Sequence, residues 1–521
     1  MTAHPALAQE APASAGEDAQ ASSGADARHV DINEYYVEGN TVLSDDEIER
    51  AVYPFLGPDK TLADVEGAKA ALQKVYEARG LKTVFVEIPQ QNVVGGRVRL
   101  LVTETRIGTV SVAGGKFTSD KQVTAALPSA ATGSVPDLGK LSSELAALNS
   151  RSADRQVTPE LKPGSQPGTI DVALTVEDKL PVHGGVELSN RYSRDTTRTR
   201  VQANLRWDDV LGTGQSASVF YAVAPERRKD SEVWVVSYGV PLSDSLRLDT
   251  TGLISNSDVA TVGDTNVLGD GTSVTMALTK TLKGGPGFYH RISLSAAWKD
   301  FKEDTVFGAA VSKAPITYFP VSLEYSGSLA DDHGTFGYDL ATTFAFRGLG
   351  SDLADFDTKR YRATGGFAYL HGSVDYLYNL PLGMQLYTSA NGQFASEPLV
   401  SNEQMALGGA GTVRGYLQSE AIGDNGVGAS IELRSPSLDR FTGKVADELR
   451  LIAFADSGRV WLIDPLPEQQ GSFGLFSVGG GLRLKLLHTL SGDLDVAVPL
   501  RDVGLTHAGD VRVHFRVSAD F

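Results

Sequence analysis

"VRVHFRVSADF", residues 511–521, alternates without a break. Val511, Val513, Phe515, Val517, Ala519 and Phe521 fall on one face, and Arg512, His514, Arg516, Ser518 and Asp520 on the other. A period of two is that of a β-strand, whose successive side chains point to opposite sides. A face this charged cannot pack into the dry core of a sandwich. It suits a water-filled lumen, with the apolar face turned to lipid. "RTRVQANLRW" (198–207) repeats the pattern, with Thr199, Val201, Ala203, Leu205 and Trp207 against Arg198, Arg200, Gln202, Asn204 and Arg206.

The alternation holds from about residue 183 to the end, in about sixteen segments separated by turn signals such as "LGTG" (211–214) and "LKGGPG" (282–287). Trp207, Trp298 and Trp461 fall near segment ends, where an interfacial aromatic girdle belongs. A soluble β-sandwich also keeps one face apolar, but it rarely sustains the pattern so long and needs no terminal aromatic. The expectation is a transmembrane antiparallel β-barrel of about 16 strands over residues 179–521, since closure satisfies every strand edge.

Composition agrees. The mean hydropathy of −0.13 means that apolar residues are interleaved with polar ones. No stretch approaches the ~18 uninterrupted apolar residues of a membrane-spanning helix. A net charge of −17 argues against nucleic acid as a partner, because phosphate neutralisation needs a basic surface. With no cysteine, disulfides, thiolate catalysis and cysteine-ligated zinc are excluded. At the N-terminus, Ala6-Leu7-Ala8 before Gln9 reads as the small-residue end of an export signal, with the mature chain starting near Gln9. Residues 1–29 are thus a residual signal end and a low-complexity segment that could serve as a plug or linker.

The first third contains a duplication. "VEGNTVLSDDEIERA" (37–51) aligns without a gap on "VAGGKFTSDKQVTAA" (112–126), matching Val37/Val112, Gly39/Gly114, Ser44/Ser119, Asp45/Asp120, Ile48/Val123 and Ala51/Ala126. Ser44 and Glu47 form a capping box before an apolar stripe of Ile48, Val52, Phe55 and Leu56. Thr61 opens a second helix, with Val65, Ala68, Leu72, Val75 and Tyr76 on one face, and Gly80 closes it. "KTVFVEIP" and "RVRLLVTE" add two strands. In the second copy Leu138, Leu141, Leu145 and Leu148 line a helix, and Ile170, Val172, Leu174 and Val176 alternate in the last strand. Two β-α-α-β-β modules, 30–105 and 106–178, each leave a short sheet with an edge to which an extended partner can add. Merely structural spacers are the alternative.

Late in the barrel stands "GGAGTVRGYLQSE" (408–420), a glycine-rich loop carrying Val413, Arg414, Gly415 and Tyr416. A phosphate-cradling loop would need a strand-to-helix context and a lysine, and neither follows. In "RLIAFADSGRV", period two sets Arg450, Ile452, Phe454, Asp456 and Gly458 on the lumenal face, and in "GASIELR" it turns Ser430 and Glu432 inward. An arginine inside the barrel needs a matched carboxylate, so Arg414 is expected to meet Asp456, with Glu432 as a second acidic candidate.

Together these features resemble the POTRA-plus-barrel outer-membrane superfamily. Val413-Arg414-Gly415-Tyr416 is similar to its VRGY/F loop tip, and Phe454, Asp456 and Gly458 to its F-x-D-x-G strand motif. Two modules, with "LN", "R" and "LKPG" in residues 148–178, resemble the two-partner secretion branch, the TpsB or ShlB/FhaC/HecB haemolysin secretion/activation proteins.

That resemblance implies a transporter in the Gram-negative outer membrane, with its POTRA domains in the periplasm. It further implies a lumenal loop at about 398–423 and a large unfolded secreted TpsA-type exoprotein as partner. Phe521 would be a signal to the barrel-assembly machinery. No cofactor, metal or nucleotide hydrolysis is implied, and no G-x-S-x-G or H-E-x-x-H spacing marks an enzyme. An outer-membrane assembly or insertion factor is the alternative, although such factors usually carry more modules.

Overall fold

The computed structural model describes residues 29–521 apart from 258–259, 263–264, 268–269, 303, 308–309 and 443–444. The signal-like start and any plug ahead of residue 29 lie outside the described residues. The chain forms two compact units, Met1–Lys179 and Leu180–Phe521.

In the first unit, Arg97–Glu104 is the central strand of a three-stranded sheet, parallel to Glu34–Glu38 and antiparallel to Val84–Glu87. Helices Asp45–Val52 and Leu62–Ala78 cover it, burying Leu72, Tyr76 and Leu100. The second copy repeats the plan. Thr169–Asp178 lies between Arg106–Ala113 and Arg155–Pro163, under helices Asp120–Ala125 and Leu138–Ser150.

The duplicated residues have matching local reasons. Gly39 and Gly114 adopt φ of +90° and +95°, and a Cβ there would lie 2.2 Å from Val102 O and 2.5 Å from Val176 O. Only glycine tolerates that approach. Ser44 and Ser119 cap the first helices in reciprocal boxes with Glu47 and Gln122. The apolar stripe of the first helix is shorter than the sequence suggests. Pro54 cannot donate its N–H, so the α-helix stops at Val52 and Tyr53–Phe55 forms a 3₁₀ turn. That turn puts the Phe55 ring where a Cβ on Gly67 would stand, 2.5 Å away.

The second unit is a closed antiparallel barrel. Among the described residues its sixteen long strands are β1 (Val182–Ser189), β2 (Arg200–Trp207), β3 (Ser216–Val223), β4 (Glu232–Pro241), β5 (Leu246–Asn256), β6 (Gly271–Leu282), β7 (Phe288–Phe301), β8 (Val321–Asp331), β9 (Gly334–Phe344), β10 (Ala368–Asn379), β11 (Gln385–Ala395), β12 (Asn425–Arg434), β13 (Ala446–Trp461), β14 (Ser472–Leu486), β15 (Leu490–Pro499) and β16 (Arg512–Asp520). The short Ile316–Tyr318 pairs with the end of β7 that β8 does not reach. Leu205, Trp207, Trp234, Leu294, Trp298 and Phe394 are exposed on the outside, as a lipid-facing surface requires.

The seam joins β16 to β1, from Arg516↔Ser189 to Asp520↔Gly185. At one end Phe521 N donates to Gly184 O at 2.9 Å, and Gly184 N returns the bond to Phe521 O at 3.0 Å. At the other, the ladder is extended by a side chain. The Asn190 carboxamide donates to Val513 O at 2.7 Å and accepts from Phe515 N at 2.9 Å. The exposed Phe521 ring covers Gly184, where a Cβ would lie 2.5 Å from its Cζ.

Two outcomes are expected. Deleting Phe521 removes the final seam bonds and the ring over Gly184, so it should lower the amount of folded, heat-modifiable protein in the outer membrane. Normal assembly with lost secretion would contradict this. In the second module, burial favours the neutral form of Asp178. The backbone N–H groups of Lys116 (2.8 Å), Phe117 (2.9 Å) and Thr118 (2.7 Å) outweigh it and hold the carboxyl below its usual range. A depressed folded value means that the contribution is whole above about pH 4 and fades as pH falls through the folded value. Thermal melts followed by circular dichroism should show Asp178→Asn less stable at neutral pH, with the gap to wild type closing in acid.

Candidate functional site

Between β11 and β12 the chain folds back into the lumen. Met405–Leu407 and Ala421–Gly423 pair as the stem of this loop, and 408–420 form its tip. Gly408, Gly409 and Gly415 have φ of +110°, +97° and +92°, conformations that side chains rarely adopt. Val413 and Tyr416 are fully buried with Leu407, Val460 and Leu475. The Tyr416 hydroxyl lies 2.9 Å from Arg501 O and 3.2 Å from Phe476 O, so the ring is pinned to the wall.

Arg414 is buried at the centre of a polar cluster. Its Nε donates to Asp456 Oδ2 at 2.7 Å and its Nη2 to Asp456 Oδ1 at 2.8 Å, a bidentate pair. Its backbone N–H adds a third bond to Asp456, at 3.0 Å. The sequence reading gave the guanidinium one main partner, and the structure gives it several. Nη1 donates to Glu432 Oε2 at 2.7 Å, and Nη2 to Ser430 Oγ at 3.2 Å. The guanidinium carbon also lies 3.4 Å from the centre of the Phe454 ring.

The F-x-D-x-G spacing now has a geometric account. Phe454, Asp456 and Gly458 share the inward face of β13. The first stacks on the guanidinium and the second binds it. The third leaves room for the loop's Leu407, whose Cδ1 would lie 2.5 Å from a Cβ at that position. Gly428, the cross-strand partner of Gly458, opens the same space from β12.

Sequence reasoning missed the outer ring of this cluster. Arg483 donates to Asp495 at 2.7 Å and to Glu432 at 3.2 Å, and Arg434 donates to Glu432 at 2.8 Å. Arg414, Arg434 and Arg483 thus face Asp456, Glu432 and Asp495 in one network, which Asp493 extends from Arg483 to Arg516. The period-two count along β14 and β15 could have turned Arg483 and Asp495 inward. Gly415 N donates to His514 Nε2 at 2.9 Å, and Arg512 Nε donates to Gly415 O at 3.2 Å, so two lumenal polar residues of β16 hold the loop. Each of the three carboxylates is engaged by arginine, which makes the cluster a fastening rather than a cation site.

The root of the loop has its own anchors. The buried Glu403 accepts from Lys299 (2.5 Å), Tyr318 (2.6 Å) and Tyr369 (2.7 Å). Asp424 accepts from the backbone of Leu399 (2.9 Å) and Ile463 (2.7 Å) and from the side chains of Gln404 (2.8 Å) and Arg360 (3.3 Å). No motif marks either residue.

A closed barrel with a lipid-facing exterior, a polar lumen holding a fastened loop, and POTRA modules ahead of it defines an outer-membrane protein of the POTRA-plus-barrel kind. Residues 168–484 match the family model of the haemolysin secretion/activation proteins ShlB/FhaC/HecB, and residues 30–105 match the ShlB-type POTRA domain. The chain belongs to that family, and it is a two-partner secretion transporter of the outer membrane with periplasmic POTRA domains.

Among relatives, it is 24% identical to the outer membrane transporter CdiB of Escherichia coli O6:K15:H31, over 99% of this chain and 87% of that one. It is 20% identical to the heme/hemopexin transporter protein HuxB of Haemophilus influenzae, over 88% and 82%. Among solved structures, CdiB from Escherichia coli superposes with a TM-score of 0.59 at 20% identity, covering 97% of this chain and 93% of that one. BamA from Haemophilus ducreyi lacking POTRA domains 1–3 gives 0.56 at 12% identity, covering 94% and 100%.

Removing the guanidinium should free the tip without opening the wall. Breaking a buried ion pair costs about 3–5 kcal/mol, and less in a wet lumen. Gly411 is exposed and has open space around it, so Gly411→Cys can carry a spin label. Its spectrum should be broad in an otherwise wild-type barrel and sharpen with Arg414→Ala. Arg414→Lys, which keeps charge but loses the fork and the stack, should fall between.

Proposed function

We propose that the POTRA pair, residues 30–105 and 106–178, captures an unfolded TpsA-type exoprotein in the periplasm. The barrel then passes it outward while the lumenal loop, latched by Val413-Arg414-Gly415-Tyr416, holds the working arrangement of the pore. The observation that carries this reading is the fastening of one loop inside a closed, polar lumen by a network of ion pairs centred on Arg414. A passage through the barrel must be shaped by that loop, and a loop without a function would not require the burial of the Arg414 guanidinium. Folding of the cargo outside would bias its movement, so nucleotide hydrolysis is not needed. The same superfamily fold serves an assembly factor, but the BamA likeness extends to fold alone.

Arg414→Ala should strongly reduce secretion of the exoprotein into the medium, normalised to folded transporter in the outer membrane. Asp456→Ala should be equal or milder, because Glu432 still binds the guanidinium. The double mutant should be no worse than Arg414→Ala, since one interaction cannot be lost twice. Wild-type secretion from Arg414→Ala would refute the latch. Impaired insertion of other barrel proteins, with secretion unchanged, would favour the assembly reading.

A further inference from the structure

Each three-stranded POTRA sheet has two outer strands, and the two edges are built differently. In the first module Gln73, on helix Leu62–Ala78, reaches across to strand Val84–Glu87. Its Nε2 donates to Val84 O at 2.9 Å, and its Oε1 accepts from Val86 N at 3.0 Å. Val84 N is already bonded to Leu81 O at 3.2 Å. The central strand runs past the end of that neighbour, and there Gln91 clamps Arg99 in the same manner. Nε2 donates to Arg99 O and Oε1 accepts from Arg99 N, both at 2.7 Å.

In the second module Asn149, on the corresponding helix Leu138–Ser150, donates to Val157 O at 3.0 Å and accepts from Val157 N at 2.8 Å. Farther along that strand, Pro159 and Pro163 share the parity of Val157 and have no N–H, which leaves Leu161 between them as the one outward N–H of that stretch. Carboxamides thus occupy, and prolines remove, most of the donors through which another strand would pair.

The opposite edges carry no such clamps. Glu34 N donates inward to Gly96 O, so by alternation Tyr35 and Val37 turn their backbone groups outward, and among the described residues no strand pairs with them. On Arg106–Ala113, Ile107 is taken by Gly133 N and Ser134 O. Beyond the register shift that follows it, Val110 and Val112 face the core with Ile107 and turn their backbone groups to the free side. Alternating N–H and C=O groups of this kind are matched by an extended backbone, whereas a helix satisfies its own.

Resting on the reading that the POTRA pair captures the exoprotein, we infer that an extended exoprotein segment adds as a strand to the Glu34–Glu38 and Arg106–Ala113 edges. The carboxamides of Gln73, Gln91 and Asn149, with Pro159 and Pro163, disfavour it at the other two. Specificity here is the closing of wrong sites as much as the opening of right ones.

The chain has no cysteine, so single cysteines report cleanly. Tyr36→Cys and Ser111→Cys mark the open edges, and Phe85→Cys and Glu160→Cys the clamped ones; all four positions are exposed. Each full-length variant would carry a benzophenone on its cysteine. It would be photolysed with the urea-unfolded N-terminal domain of the exoprotein whose secretion the transporter supports, with binding titrated in parallel.

Crosslinking at 36 and 111 should exceed that at 85 and 160 by roughly tenfold, about 1.4 kcal/mol of preference. Adding Gln73→Ala or Asn149→Ala should raise the yield at 85 or 160 respectively. Equal or greater yield at the clamped edges of the unaltered clamps would overturn the assignment while leaving capture intact. Binding without crosslinks at any of the four would exclude strand addition. Absence of binding would overturn capture itself, and the edge assignment with it.

Discussion

Hydrocarbon contains no water to satisfy a peptide group, and everything in the second unit follows from that constraint. Each backbone N–H and C=O at membrane depth must pair within the protein, so the strands close on themselves. Closure forces β16 onto β1, and there the chain uses more than backbone. Asn190 lends its carboxamide to the ladder at one end, and the terminal residue completes it at the other. Because each strand alternates, an apolar exterior implies a polar interior, and the lumen becomes a place where charge can reside.

Inside that lumen the physics inverts. A guanidinium that has lost much of its water is stabilised only by a carboxylate of matched geometry, so the position of Arg414 is set closely by Asp456 and Glu432. Glycines make the fit possible on both sides. Those of the loop permit its backbone path, and those of the wall clear space. A Cβ on Gly479 would lie 2.4 Å from the Phe454 ring, and one on Gly481 would lie 2.3 Å from Asp495. The wall is thinned where the loop and its partners are thick.

Much of this was legible from residue order. Period two is unusually readable when one face is charged, as in 511–521, and it distinguishes a barrel from a sandwich. The duplication at Gly39 and Gly114 was readable because one backbone conformation demands the same residue twice. Inward parity placed Arg414's neighbours 456 and 432 on the lumenal face of adjacent strands. What could not be read was closeness across the barrel. Glu403 meets Lys299, Tyr318 and Tyr369 from positions 34 to 104 residues away, and no local pattern encodes such a meeting. The carboxamide clamps were also hidden, since a glutamine on a helix surface gives no sign of which edge it will reach.

The lumenal tip carries a consequence for biogenesis. The hydrogen-bond partners of Arg414, Gly415 and Tyr416 are Ser430, Glu432, Asp456, Phe476, Arg501, Arg512 and His514, and every one follows the loop in the chain. At the tip a residue from the earlier part of the barrel enters at Gln418, whose N–H donates to Tyr192 O at 3.1 Å. The ring of strands needs ends that are 323 and 325 residues apart to meet, as at Asn190 with Val513 and Phe515, whereas the latch closes over no more than 99. Loop-closure entropy favours the shorter connection. The C-terminal strands can therefore grip their loop before the barrel is a barrel, and the last stave is set around an interior already furnished.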